Sequence, residues 1–267
     1  MDSIQAIALL PRLTSLYLTL PAGVYAGVEN GFPSLTKLWL SGSTFDTRIF
    51  LAVARPKTLR DLFLHWKSTA DQSPLADIAA ITHLLSSFPL LRSLDINGEA
   101  LLSLPTGLDE QQLWSIFEPL LELKRLEHLS YNIPLPLSDQ KTARIACAWP
   151  RLKELDLYES AGAQSSLESL VHFARHCPDL ESLHYPIKAR TISPSTIIAP
   201  TLSPHRLRVF GTEGETDVMN APAVALSLYQ IFPNITYARG AGDGWRMVQR
   251  ILNAFIFLRK QDRSFEE

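Results

Sequence analysis

Cysteine is scarce in this chain of 267 residues: Cys147 and Cys177 stand well apart, with no second ligand pair near either. That excludes a disulfide framework and a C-x-x-C site, and predicts two reduced, buried thiols in a cytoplasmic or nuclear protein. Neither sign of charge is in excess: 25 Lys and Arg face 27 Asp and Glu, for a net charge of -2 and a pI near 6.4. Nucleic acid is therefore not an expected partner, because gripping phosphates takes a basic face. No like-charge run offers a membrane surface a polybasic patch, and no apolar run is long enough to span a bilayer. Phosphate-cradling loops are lacking too. Gly240-Ala241-Gly242-Asp243-Gly244 has no downstream P-loop lysine and predicts a turn into a last helix. With no nucleophile elbow, zinc ribbon or paired carboxylates, no cofactor and no enzymatic activity are expected; a hydrolase or metal enzyme is the remote alternative.

What the chain has instead is one recurring phrase, a proline followed by leucines in the order L-x-x-L-x-L. It reads Pro11 with Leu13, Leu16 and Leu18, then Pro33 with Leu35, Leu38 and Leu40, and Pro56 with Leu59, Leu62 and Leu64. Pro89 leads Leu91, Leu94 and Ile96; Pro150 leads Leu152, Leu155 and Leu157; Pro178 leads Leu180, Leu183 and Tyr185. Weaker copies run Leu126, Leu129, Tyr131, then Leu207, Phe210, Thr212, and Ile235 after Pro233. Such self-similarity marks a leucine-rich repeat, a unit that must stack on neighbours to bury its apolar face. The segment from Leu13 to Ala26 resembles a signal-peptide core, yet Asp2 rather than a basic cluster precedes it, and it keeps phase with later copies.

The leading apolar residues fall at 13, 35, 59, 91, 126, 152, 180, 207 and 235, spacings of 22 to 35 residues with no linker among them. The expected architecture is one α/β domain over 1–267: a horseshoe solenoid with a concave parallel sheet and convex helices, repeats over about 11–242 and a cap helix over about 243–260. Helical patterns lie between the phrases. Ser73-Pro74 is a candidate helix start, Asp109 to Gln112 and Ser165 to Glu168 have capping-box spacing, and residues 221–232 read as a helix. Where the standard motif places asparagine or cysteine after the last leucine, Ser43 and Ser160 stand instead, and serine, water or backbone is expected to satisfy the turn. Trp245, Val248, Ile251, Leu252 and Phe255 form an apolar stripe, with Arg246, Gln249 and Arg250 mostly away from it.

These short phrases, their erratic spacing and their helical linkers resemble the leucine-rich-repeat region of fungal F-box proteins. The resemblance implies that the repeats bind protein partners and select substrates for a ubiquitin ligase. Only twelve residues precede Leu13, so a Skp1-type adaptor is an expected partner only if an F-box exists outside this chain. The alternative is an adaptor-independent scaffold or inhibitor.

Strand alternation turns the middle position of each phrase outward. Those positions hold Tyr17, Trp39, Phe63, Asp95, Ser130, Asp156, His184, Gly211 and Arg239. Parallel strands lie about 4.8 Å apart, so Tyr17, Trp39 and Phe63 should form a ladder, flanked by Lys37, Asp61 and His65. Aromatics beside a few charges are the composition of an interaction hot spot. The candidate partner-binding residues are therefore these six with Asp95 and Asp156; a ladder that only shields the sheet is the structural alternative. Asp95, Glu154 and Asp156 with Tyr158 make an acidic stretch that reads as a solvated face. His172 and His176 have a spacing that can hold zinc, but no third ligand follows, so they read as a solvent-facing pair. Asn234-Ile235-Thr236 matches the glycosylation sequon and is taken as chance.

Overall fold

The computed structural model describes residues 3–22, 28–29, 31–66, 74–98, 109–157, 165–189, 205–212 and 218–264. The backbone groups into two compact units, Met1–Leu135 and Pro136–Glu267. After α1 (Ser3–Ala8), the first unit lays five parallel strands in chain order: β1 (Ser15–Thr19), β2 (Lys37–Gly42), β3 (Asp61–Trp66), β4 (Ser93–Gly98) and β5 (His128–Asn132). Between them run α2 (Thr44–Ala54), α3 (Pro74–Leu85) and α4 (Glu110–Phe117), each packing on the next.

The second unit opens with α5 (Asp139–Ala148) and β6 (Glu154–Leu157), then β7 (Ser165–Ser166), α6 (Val171–His176), β8 (Ser182–His184) and β9 (Ile187–Lys188). It closes with β10 (Val209–Gly211), α7 (Ala221–Ile231), β11 (Tyr237–Arg239) and α8 (Asp243–Ser264). Strands β6, β8, β10 and β11 are parallel neighbours in that order, while β7 and β9 pair by themselves.

The repeated phrase dictates the same backbone each time. The amide of the leading residue donates to the carbonyl three residues back: Leu13 to Leu10, Leu35 to Phe32, Leu91 to Phe88, Leu152 to Trp149, Leu180 to Cys177 and Ile235 to Phe232. In all six copies proline takes the second position of that turn, where its fixed φ is already correct. The carbonyl of the residue after the leading one then accepts two amides from the next copy. Thr14 accepts from Thr36 and Lys37, Thr36 from Arg60 and Asp61, Arg60 from Arg92 and Ser93, and Arg92 from Glu127 and His128. In the second unit Lys153, Glu181 and Arg208 do the same. Strand period two then carries the remaining apolar pair inward.

Leu38, Leu62, Leu94, Leu155 and Leu183 are all buried, at 1% exposure or less. Leu16, which belongs to the same column, is only half-buried. It lies on β1, which among the described residues has a strand on one side only.

Several local expectations are met. Ser43 caps α2, accepting from the Asp46 amide at 3.0 Å and donating to Asp46 Oδ2 at 2.6 Å. Asp109 caps α4 through the Gln111 amide, and Asn220 caps α7 through the Ala223 amide. Gly242, at φ +87°, makes the left-handed turn into α8. Ser73, Ser160 and Tyr158 lie outside the described residues.

Two expectations fail. Ser165 caps no helix: its buried hydroxyl lies 2.6 Å from Thr142 Oγ1, and Ser166 Oγ takes the Ser169 amide instead. Cys177 is buried, but Cys147 is exposed on α5, so the thiols do not share one environment. Burial pushes the Cys177 thiol up to about 12. Among the described residues no helix is long and apolar enough to cross a membrane.

Helix α8 caps the second unit, packing on α7 and β11. Trp245, Val248 and Leu252 are buried, while Ile251 and Phe255 are half-buried. Gln249 does not turn away. Its Oε1 accepts from the Ala238 amide at 2.5 Å, and its Nε2 donates to the Thr236 carbonyl at 3.2 Å. These are the groups β11 would offer to a further strand, since Tyr237 and Thr212 bond within the β10–β11 ladder. One side-chain amide thus replaces the missing peptide and blunts the edge.

Candidate functional site: an outward aromatic ladder

In the first unit Tyr17, Trp39 and Phe63 sit directly opposite one another on β1, β2 and β3. Their flanking leucines point inward, so the rings stand on the opposite face of the sheet. Tyr17 and Trp39 stack with centroids 5.8 Å apart and planes at 26°; Trp39 and Phe63 stack at 5.2 Å and 15°. Trp39 is therefore sandwiched between two rings, while Tyr17 and Phe63 each stack on one side only. Tyr17 remains 67% exposed and Trp39 41%, a large fraction for a tryptophan.

The charged flank is built by the same register. Lys37 faces Asp61 across β2 and β3, and its ammonium lies 5.6 Å from the Phe63 centroid. This cation over a ring ties the flank to the ladder. His65 pairs with Ser41 at the far end of β3. Asp95 continues the row on β4, opposite Phe63, and Ser130 follows it on β5. The ladder is therefore three rings long and ends at a carboxylate.

Asp156 belongs to different company. In the second unit the row reads Asp156, His184, Gly211 and Arg239 across β6, β8, β10 and β11. Arg239 Nη2 reaches over Gly211 to His184 Nε2 at 3.0 Å. Gly211 makes this possible: a Cβ there would meet His184 Cδ2 at 1.9 Å. Burial lifts the Asp156 carboxyl above its ordinary range, and His184 and Arg239 pull it back. This charged triad went unrecognised in the sequence, although a glycine at an outward strand position was a signal of close approach.

The other candidates stay apart. His172 is half-buried and His176 exposed, and among the described residues no cluster of histidine, cysteine and carboxylate could hold a metal ion. Burial holds the His172 imidazole below its usual range. Asn234 is engaged in the fold, its amide donating to the His205 carbonyl at 2.9 Å.

No family model and no curated protein matches the chain. Among solved structures it is similar to the leucine-rich repeat-containing protein LegL7 from Legionella pneumophila, at 15% identity over 89% of this chain and 91% of that one, with a TM-score of 0.38. What makes the fold a leucine-rich-repeat fold is the recurring turn, strand and doubly used carbonyl, which both units carry.

Proposed function

We propose that the first unit is a protein-recognition module, not a catalytic one, and that Tyr17, Trp39 and Phe63 are its anchor. One observation carries this: in a stack of three aromatics Tyr17 and Trp39 stay exposed and Phe63 half-buried, on strands whose leucines face the interior. Large, stiff rings lose little side-chain freedom on binding and bring much apolar area, which is why such residues dominate hot spots. Lys37, Asp61 and His65 supply a polar rim, and Asp95 bounds the apolar strip. Repeat folds of this type suit the role, since they offer an extended surface with few enclosed pockets.

The test is Trp39→Ala. Binding of the protein partner should weaken by about 2 kcal/mol or more, and Lys37→Ala should cost less. A partner bound equally well by Trp39→Ala removes the reading. The narrower reading, substrate selection for an F-box-type ubiquitin ligase, rests on the sequence resemblance alone. Co-purification of a Skp1-type adaptor with the full-length gene product tests it.

A further inference from the structure

The second unit carries a hollow of about 500 Å³ lined by Glu181, Arg206, Arg208, Asn234, Thr236 and Arg259. It lies where the chain turns into β8, β10 and β11, so the doubly used carbonyls of Glu181 and Arg208 fix its rim. Three of its six lining residues are arginines, against one carboxylate. Their states differ. Arg206 is held by Asp179 at 3.1 Å. Arg259, reaching in from α8, donates to the Pro233 carbonyl and lies over the Tyr229 ring. Arg208 has no side-chain partner among the described residues, although its backbone carbonyl accepts from Thr236 and Tyr237.

We propose that this hollow binds a phosphate monoester group, with Arg208 as its principal ligand. With Arg206 already paired to Asp179, Arg208 and Arg259 set against Glu181 leave one net positive charge. A phosphate monoester, at about -1.5 to -2 at neutral pH, can draw on both of these guanidinium groups and share Arg206 with Asp179. A planar carboxylate brings only one charge, and a single arginine fork satisfies it. Here the guanidinium groups come from two elements, the approach to β10 and helix α8, which suits a tetrahedral anion with three terminal oxygens. Asn234 and Thr236 are already used by the fold: the Asn234 amide donates to His205 and the Thr236 hydroxyl to Arg208, so both keep the wall rigid. Glu181 adds selection, since it repels an anion that does not engage the arginines. The site uses no residue of the aromatic ladder, so it stands or falls independently of the proposed protein-binding surface.

Titration of the full chain with phenyl phosphate, followed by calorimetry or amide chemical shifts, tests the site. Saturable binding is expected, weakened at least tenfold by Arg208→Ala and partly retained by Arg208→Lys. Both variants should keep the wild-type melting temperature, because the Arg208 side chain has no partner among the described residues; the lysine variant keeps the test open if the alanine variant proves unstable. Benzoate should bind at least tenfold more weakly than phenyl phosphate. Affinity should fall between pH 7 and pH 5, as the monoester takes up its second proton near pH 6. A phosphoserine peptide run beside phenyl phosphate separates the sources: tighter peptide binding assigns a protein-borne phosphate, and equal binding a free ester. The proposal is overturned if neither probe saturates, if benzoate binds as well, or if Arg208→Ala leaves the affinity unchanged.

Discussion

The outward middle position of the strands carries different chemistry in the two units. In the first it holds stacked rings, Tyr17, Trp39 and Phe63, whereas in the second it holds Asp156, His184, Gly211 and Arg239. The backbone beneath is the same: a turn set by proline, a doubly used carbonyl and inward apolar pairs. The repeat therefore constrains the inward side chains and leaves the outward row free to specialise. In the second unit that row is tied together from within, as Arg239 crosses Gly211 to reach His184. In the first unit the rings meet only each other and Lys37 among the contacts described, and Tyr17 and Trp39 stay exposed.

The largest effects should come from what the units share. Leu62→Ala in the first and Leu155→Ala in the second should each cost about 2–5 kcal/mol, as cavities in a packed core. Chemical denaturation reads both, and a loss confined to one unit would break the equivalence of the two cores. Next in size is Gln249→Ala, which leaves the β11 amide of Ala238 and the carbonyl of Thr236 without their partner. The expected loss is about 1–3 kcal/mol, with faster hydrogen exchange at Ala238 and more aggregation. Unchanged exchange there would mean that the amide cap is dispensable.

Gly211→Ala should cost about 1–3 kcal/mol, because the added methyl drives into the His184 ring. Ser130→Ala, at the same position in the first unit, should be close to neutral. Equal effects at the two sites would contradict the tied and open distinction.

The smallest effect is pH-dependent and belongs to the second unit. The His205 ring nitrogens are both used, Nδ1 accepting from the Leu207 amide and Nε2 facing the Cys177 carbonyl at 2.8 Å. That arrangement fits the neutral imidazole. Burial lowers its pKa below the ordinary value, against the raising effect of the backbone bonds. The unfolded chain therefore binds the proton more readily. The stabilisation is complete above the unfolded value of about 6.5 and is lost as pH falls toward the folded value. Melting temperatures between pH 7.5 and 5 should fall less in His205→Gln than in wild type. His172 shares the sign of the effect, so the difference between the two proteins isolates His205.

Repetition made much of this architecture legible in the sequence. The L-x-x-L-x-L phrase gave the strands, their parallel order and the outward row, because period two leaves no choice of face once the leucines are inside. Asp109 was legible as a cap because capping is local, whereas Ser43 read only as a residue satisfying the turn after β2, and the structure makes it the cap of α2. Contacts between residues distant in sequence were hidden. Gln249 reads as an exposed helix residue, and only the position of β11 makes it an edge cap. Ser165 has capping spacing, but the neighbouring Thr142 hydroxyl claims it. Arg206 and Arg208 are near neighbours in the chain, but Arg259 joins them in lining one hollow only because α8 folds back over the turn before β11. Leu16 departs from its column because the phrase marks a strand without saying whether another lies on each side.

The central claim is that the open ladder serves a partner and the leucines beneath serve the fold. Its most direct test measures the binding and the folding free energy of Trp39→Ala side by side, using the partner that quantitative crosslinking recovers through Trp39 itself. The loss of two stacked pairs should lower stability by about 1–2 kcal/mol, less than either leucine variant, while partner affinity falls at least about thirtyfold beyond any change in the folded fraction. A variant that unfolds with a core-sized loss, or that keeps wild-type affinity, would contradict the claim.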